Sequence, residues 1–400
     1  MAPEGRENMS NQVRATERYD ELDALRGIAA LSVGLSHHLS VFQGMPAGSP
    51  YQAEAKLALL LKYAPTYAFA AGHESVVLFF VLSGFVLSLP AFRGQRTSYP
   101  IFVVRRFARL YIPYLAAVIL AFVGCAFASS HAPPAMVGAW VSSHWHAPPT
   151  LASLFDHVLM LHHFDTSTLS PVFWSLIVEM RVSLLFPLIL LAVTRLRPAL
   201  SLGLAASLTA IRIVVGWRTH DDAILDYLTS LHFAGMFIVG ANAARSFASL
   251  RAMFRGASPW VRTSILAVAW LLYNYGRAVG HIVPFSDEWL VAPAAVVFFV
   301  AAFESPVGQR LCSSRFAAFL GKVSFSYYLV HTTILYASLR FLAGRLPVDV
   351  IVLLSLVAGL VFAYGFYLAV EVPALKLSKR LKRTSKAHAL TERISAVPPA

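Results

Sequence analysis

The sequence predicts an all-α protein, a polytopic membrane bundle of about ten transmembrane helices with both termini in the cytoplasm. Of its 400 residues, 57% are hydrophobic and 13% are charged, against the roughly 25% charged residues of soluble globular proteins. The mean hydropathy of +0.63 over the whole length exceeds what a single anchor of about 20 apolar residues supplies. Most of the chain is therefore expected to lie in the membrane.

Apolar runs of about 17–25 residues, bounded by charged residues, Pro or Gly, define the predicted spans. Two of the ten are short. In chain order they are 24–42, 74–92, 101–128, 172–194, 199–217, 225–244, 263–276, 289–304, 319–342 and 348–371.

The basic residues orient the predicted bundle. Twenty-five of the 33 Lys and Arg residues fall on one side of these spans, and the positive-inside rule places that side in the cytoplasm. Residues 1–20 lack the apolar core of a signal peptide, so they are expected to form a disordered cytoplasmic tail. Residues 21–373 form one transmembrane domain and residues 374–400 a basic cytoplasmic tail, in a plasma membrane interpreted as a bacterial inner membrane.

Composition also excludes several classes of function. The net charge is +13. The charged residues lie between apolar runs and indicate membrane topology, so nucleic-acid binding is not expected. Cys125 and Cys312 fall on opposite sides of the predicted membrane, which leaves neither a disulfide framework nor a cysteine metal site. No metal or redox cofactor is expected.

One long external segment, residues 129–171, contains six histidines, Trp140 and Trp145 but no Lys or Arg. A polar, uncharged molecule could dock on it. An ordinary interfacial loop with tryptophans at headgroup level explains the composition equally well.

Ionisable side chains inside the hydrocarbon are costly, about 2.5–3.5 kcal/mol each at a helix centre, so each one is a candidate functional residue. Arg26 and His37 lie eleven residues apart in the first span and share one helix face about 16 Å apart. An imidazole deep in the bilayer can accept a proton, although a buried histidine is more often a hydrogen-bonded structural residue.

Later spans carry further polar residues. Arg106 and Arg109 lie one turn apart at the cytoplasmic edge, a pairing that suits phosphate oxygens and that ordinary positive-inside charge also explains. Glu179 and Arg181 are two residues apart, so they point to different sides and each needs its own partner. His331 lies well inside the ninth span, where packing with a backbone hydrogen bond is the alternative to a functional role.

Six sequence segments carry a resemblance that covers nearly the whole chain. They are Leu22–Gly27 with His37, Phe79–Phe85, Arg106 with Arg109, Trp174–Leu176 with Glu179 and Leu185–Pro187, Gly321–His331, and Glu371–Pro373. Their combination and order resemble acyltransferase family 3, integral membrane proteins that O-acetylate envelope polysaccharides, lipopolysaccharide and some small molecules.

The resemblance implies acyl-CoA, usually acetyl-CoA, as the cytoplasmic donor. It implies His37 as the catalytic base, Arg26 and Glu179 as further catalytic residues, and Arg106 and Arg109 as donor-binding residues. Other candidate site residues are Glu74, Ser83, Trp174, Arg181 and His331.

Two departures from the family pattern affect the expected site. Many members have an aspartate where this chain has Val77, and Glu74 is the candidate substitute. Many have a second carboxylate after the glutamate at position 179, where this chain continues with Met180 and Arg181, so acceptor choice could differ. Some relatives carry a carboxyl-terminal hydrolase-like domain. We expect no such domain here, and therefore either direct acylation of the acceptor or transfer to a separate protein.

The expected function is therefore acetyl transfer from acetyl-CoA to a hydroxyl group of an envelope polysaccharide, lipopolysaccharide or related glycan. A small-molecule or glycolipid acceptor is an alternative, as is a proton-coupled transporter, because buried His, Glu and Arg also build proton pathways. A receptor or scaffold would leave those residues unexplained. A covalent acyl-histidine relay, direct transfer and a homo-oligomer all stay open.

Overall fold

The computed structural model describes residues 19–381 except 47, 64, 96–97, 133, 136, 161–164, 166–167 and 281. Most of both predicted tails, residues 1–18 and 382–400, lies outside the described residues. The described residues form helices and connecting turns, with no strand among them. The helices are α1 (Asp20–Ser40), α2 (Gln52–Tyr63), α3 (Gly72–Phe92), α4 (Tyr99–Ala128), α5 (Ala139–Ser142), α6 (Leu151–Leu159), α7 (Phe173–Leu184), α8 (Phe186–Arg195), α9 (Pro198–Gly216), α10 (Asp222–Arg245), α11 (Phe247–Gly256), α12 (Pro259–Gly280), α13 (Ser286–Glu304), α14 (Pro306–Cys312), α15 (Arg315–Leu342) and α16 (Val348–Phe366, continued by further turns to Leu381).

Every predicted span coincides with a helix or a helix pair. Among the described residues, six helices are long and apolar enough to cross a membrane, or seven if the bent pair α7–α8 counts as one span. These six are α3, α4, α9, α10, α13 and α16. The helices α1, α12 and α15 are 21, 22 and 28 residues long but more polar. The protein is thus an all-helical membrane protein, and a total near ten spans stays a prediction, as does the cytoplasmic placement of both termini.

The predicted span 172–194 is broken in the structure. It consists of α7 and α8, which are bent by 58° relative to each other. Pro187 lies in the first turn of α8, where its ring and missing N–H are tolerated, whereas inside a continuous helix they would disrupt the preceding turn. The bend is therefore a consequence of the Leu185–Pro187 segment.

Glycines bring α1 and α15 into close contact. A Cβ on Gly27 would collide with the backbone of Gly321, and a Cβ on Gly321 would lie 2.7 Å from the carbonyl oxygen of Asp23. Further along the same pair, a Cβ on Gly34 would collide with the Tyr327 hydroxyl group. Small residues at such crossings let helix backbones approach closely. The two helices run side by side, so residues ten positions beyond Gly27 and Gly321 also meet.

The helix α16 extends ten residues beyond the predicted end of the last span. It passes through a wide π-type turn at Tyr367–Glu371 and continues to Leu381. Pro373 lies two residues after the end of this turn. A π-turn rearranges the backbone hydrogen bonds at the point where a proline would otherwise interrupt them, so the helix continues.

The segment predicted to be external, residues 129–171, folds back onto the helices where the structure describes it, instead of lying only at the interface. Trp145 is 2% exposed, and its indole N–H donates to the carbonyl oxygen of Leu169 at 2.9 Å. Arg340 is buried and donates to the carbonyl oxygens of His131 and His144 at 2.8 and 3.0 Å. The loop is therefore part of the packed structure.

Candidate active site

Two cavities lie within the bundle and meet at Val76 and Tyr328. We name the larger one, about 540 Å³, the arginine cavity because Arg26, Arg106 and Arg109 line it. We name the other, about 290 Å³, the histidine cavity because His37 lines it. Val76 and Tyr328 line both cavities, so they form the division between them.

A hydrogen-bonded cluster forms one wall of the arginine cavity. The guanidinium group of Arg106 donates to Glu179 Oε1 at 2.5 Å and to Ser183 Oγ at 2.9 Å. The Ser83 hydroxyl group donates to the same Glu179 oxygen at 2.9 Å. These contacts join α3, α4 and α7. They fix the Glu179 carboxylate as an acceptor between a cation and a hydroxyl group.

Arg26 and Arg109, which also line this cavity, differ in their partners. Arg26 donates to Asp23 Oδ1 at 2.7 Å, one turn earlier on α1. Arg109 lines the cavity without a hydrogen bond or ion pair to any described residue. Glu371, at the end of the π-turn, accepts a hydrogen bond from Ser326 Oγ at 2.6 Å. Of Arg26, Arg106 and Arg109, only Arg109 has no carboxylate partner in the part of the chain that the structure describes.

In the histidine cavity, His37 contacts a second histidine. The His37 Nδ1 and His331 Nε2 atoms are 2.9 Å apart. The other His331 nitrogen, Nδ1, lies 3.0 and 2.9 Å from the carbonyl oxygens of Tyr327 and Tyr328. Because carbonyl oxygens only accept, His331 Nδ1 carries the hydrogen and Nε2 is the acceptor. His37 therefore donates through Nδ1, and its Nε2 is the basic nitrogen.

Aromatic side chains enclose this cavity. The Trp140 ring, from the segment predicted to be external, stacks on His37, with centroids 5.6 Å apart and planes within 10°. Trp174 and Tyr67 also line the cavity. Tyr67 donates to Glu74 Oε2 at 3.3 Å, and burial, aided by the Glu74 charge, raises the pKa of Tyr67 to about 12. The phenol is therefore neutral at physiological pH.

A charged cluster supports the far wall of the histidine cavity. His73 lines the cavity, and its Nε2 atom lies 3.1 Å from Glu288 Oε1 and 3.4 Å from Asp287 Oδ2. These three side chains could together hold a metal ion. An ion pair between a protonated His73 and the two carboxylates accounts for the same distances. The cluster joins the start of α3 to the start of α13.

The structure brings most sequence-predicted site residues together. Arg26, Ser83, Arg106, Arg109 and Glu179 line the arginine cavity.

Two further candidates, His37 and Trp174, line the histidine cavity, and His331 contacts His37. Glu74 is fully buried behind Tyr67. Arg181 lines neither cavity, because its guanidinium group binds Asp226 Oδ2 on α10 at 2.6 Å. As expected, Glu179 and Arg181 have separate partners.

Sequence reasoning did not identify several residues that line the cavities. Trp140, Tyr328, Lys322, Glu371 and Lys379 are among them. Tyr328, Lys322 and Glu371 fall within segments that carried the family resemblance, which was the available signal. Trp140 was noted only as part of the segment on which a polar molecule could dock, and Lys379 only as part of the basic tail, because their places in the cavities depend on how distant segments pack.

Comparison with protein families gives one match. Residues 19–370 match the model of acyltransferase family 3, described as an acyltransferase domain. The chain belongs to acyltransferase family 3. Neither a curated protein nor a solved structure matches it. Membership of this family and the apolar helices support a membrane acyltransferase, and the family implies an acyl donor and an acceptor.

Proposed function

We propose that this protein transfers an acetyl group from acetyl-CoA to a hydroxyl group of an envelope polysaccharide, lipopolysaccharide or related glycan. Acyl-CoA occupies the arginine cavity from the cytoplasmic side of a bacterial inner membrane. The acceptor hydroxyl group enters the histidine cavity. The observation that carries this proposal is the meeting of a cationic cavity and a histidine-lined cavity at Val76 and Tyr328.

Charge and size support the donor assignment. Arginine binds phosphate oxygens in a bidentate manner, and Arg109 has no competing protein partner among the described residues. A volume of about 540 Å³ is within the usual range for small-molecule and cofactor sites. The long arm of acyl-CoA would carry the thioester from the arginines to the division between the cavities.

The aromatic wall supports a sugar-like acceptor. Trp140, Trp174 and Tyr67 present flat apolar faces with polar edges, and such side chains pack against molecules that combine both characters. The hydroxyl groups of an acceptor could bond to Ser36, Ser40 or Gln43, which line the same cavity. A glycolipid or small molecule with an accessible hydroxyl group fits the same surface.

The chemistry is general-base catalysis by His37. Its Nε2 atom takes the hydroxyl proton while the acceptor oxygen attacks the thioester carbonyl carbon. The carbon–sulfur bond then breaks, and the CoA thiolate takes the proton from the His37 imidazolium. His331 accepts the Nδ1–H hydrogen bond throughout and holds the ring in one tautomer. This sequence needs no redox cofactor or metal, and it regenerates His37.

The alternative is a covalent relay, in which His37 itself attacks the thioester and later passes the acetyl group to the acceptor. The adjoining cavities support direct transfer, because donor and acceptor can meet at one place. Donor added without acceptor separates the two routes. Acetylated His37 would accumulate only in the relay.

The function is tested with membranes or purified protein supplied with acetyl-labelled CoA and glycan or lipid acceptor fractions. Wild-type protein should release CoA and label one acceptor fraction, whereas His37→Ala at equal protein level should do neither. His38→Ala is the matched control, because His38 lines neither cavity and its Nδ1 atom lies 2.7 Å from the carbonyl oxygen of Gly34. Equal labelling by wild type and His37→Ala would refute the mechanism. Uptake of a solute without CoA release would favour the transporter.

A further inference from the structure

The arginine cavity holds more positive charge than its own carboxylates neutralise. Six cationic side chains line it, against three carboxylates among the described residues. The cations are Arg26, Arg93, Arg106, Arg109, Lys322 and Lys379, and the carboxylates are Asp23, Glu179 and Glu371.

The cations divide into paired and free groups. Arg26 binds Asp23, Arg106 binds Glu179, and Arg93 donates to the Tyr19 hydroxyl group at 2.6 Å. Within the described part of the chain, the other three make no hydrogen bond or ion pair; they are Arg109, Lys322 and Lys379. Free cations that line one cavity favour an anionic ligand.

The free cations lie at two levels of the cavity. Arg109 is one helical turn from Arg106, beside the Glu179 cluster. Lys379 lies eight residues beyond Glu371 on the same helix, about 12 Å further along its axis toward the end of the bundle where α1 begins. Lys322 follows Gly321, which contacts α1 at Asp23, and helical side chains lean toward the helix N-terminus. Both lysines are exposed and therefore line the cavity near the end of the bundle where α1 begins.

Two levels of positive charge match a ligand with two separate phosphate-bearing parts. Acyl-CoA has a diphosphate bridge and, on the ribose, a 3′-phosphate. A phosphomonoester carries about −1.5 to −2 charges near pH 7. Lysine binds such a group as a compact point charge on a flexible stem.

We propose that Lys322 and Lys379 form a subsite for the 3′-phosphate of the nucleotide end of acyl-CoA, while Arg109 faces the diphosphate. This inference rests on the proposed function, because it assigns a part of the same donor. It predicts that the protein distinguishes CoA from its analogue without the 3′-phosphate. The phosphate of an anionic lipid headgroup has the same chemistry, so the test must separate the two sources.

The test measures binding of CoA and of 3′-dephospho-CoA to the full-length purified protein in zwitterionic nanodiscs by titration calorimetry. Wild type should bind CoA at least about tenfold more tightly than 3′-dephospho-CoA. Lys322→Gln and Lys379→Gln should each reduce this preference, and the double variant should abolish it without weakening the binding of 3′-dephospho-CoA. Lys376→Gln is the matched control, because Lys376 is an exposed lysine on the same helix that does not line the cavity.

The outcomes separate the inference from the function on which it rests. Wild-type protein that binds neither ligand would refute the proposed donor. Wild-type protein that binds both equally, or a double variant that keeps the preference, would overturn only the 3′-phosphate subsite. Loss of the preference when phosphatidylglycerol is added to wild-type nanodiscs would assign the lysines to lipid phosphate and also overturn it.

Discussion

The proposed base, His37, contacts a partner far away in the sequence. His331, 294 positions from His37, presents an acceptor nitrogen because its other nitrogen is held by two backbone carbonyl oxygens. This chain of hydrogen bonds determines which His37 nitrogen is free to take a proton. His331 is thus a positioning residue in our mechanism, acting through His37.

Substitution of His331 tests this positioning. His331→Leu removes the hydrogen-bond acceptor of His37. We expect kcat to fall by about tenfold or more with little change in donor KM, because His37 loses its orientation while the donor site stays intact. His331→Gln offers an amide oxygen in a similar place and should retain more activity. Steady-state kinetics of both variants provide the measurement. Equal kcat values for the two variants would contradict the assigned role.

Substitutions of the arginines that line the arginine cavity should have different effects, according to the partners of each arginine. Arg109→Gln is expected to raise donor KM about tenfold without lowering the melting temperature, because Arg109 has no ion-pair partner among the described residues. Arg106→Gln should raise KM and also destabilise the protein by about 1–3 kcal/mol, since it removes the cation bound to Glu179. Thermal unfolding and donor kinetics check both. A matching loss of stability in Arg109→Gln would argue against a free donor-binding arginine.

At the scale of elements, the packing of α1 against α15 places His37 beside His331. Gly27 and Gly321 let the two backbones touch, and ten residues later on each helix His37 and His331 form their hydrogen bond. Both helices are too polar to be counted as spans by apolar composition. They carry polar residues because neighbouring helices and the cavities surround much of their surface, so less of it must match lipid.

A single methyl group should disturb this pair. Gly27→Ala places a Cβ against the backbone of α15, so we expect a loss of about 1–3 kcal/mol in unfolding free energy and lower activity per folded molecule. Gly203→Ala is the matched control, because a Cβ there meets no atom within 4 Å, and alanine is the better helix former by about 1 kcal/mol. Equal behaviour of the two variants in denaturation and activity assays would show that the α1–α15 contact does not control the site.

At the scale of the whole molecule, the arrangement of the two cavities determines where donor and acceptor meet in the proposed reaction. Each cavity lies at a different level of the bundle, and their shared wall consists of Val76 and Tyr328. The Tyr328 hydroxyl group lies 2.7 Å from Ser175 Oγ, which fixes one side of this division. In the proposed reaction, the thioester reaches the acceptor at this place.

Blocking the division should separate donor binding from transfer. Val76→Trp fills the space beside Tyr328, and we expect acyl transfer to fall by at least about tenfold, because even small displacements of reacting groups are costly. CoA binding in the arginine cavity should persist. Val76→Ala keeps the space open and serves as the control. Calorimetry measures CoA binding by both variants, and transfer assays measure their activity. Full activity of Val76→Trp would exclude acyl transfer at the division between the cavities.

Composition and apolar runs alone determined that this is a helical membrane protein, and they located helices at all ten predicted spans. Short motifs indicated the family and most residues of the arginine cavity, because these residues are close to one another within recognisable segments. The same reasoning overlooked the break at Leu185–Pro187 and the helix beyond Glu371. Both depend on how local backbone geometry accommodates proline.

Only the tertiary structure decided which polar groups meet. Arg106 and Glu179 are 73 positions apart and His37 and His331 are 294 apart, so no local period encodes either pairing. Arg181, which sequence reasoning grouped with the site, instead binds Asp226 on a neighbouring helix. A sequence shows that a buried charge needs a partner, since an unpaired one is costly in lipid. The packing of the helices selects that partner, because only packing determines which distant faces come within hydrogen-bonding distance.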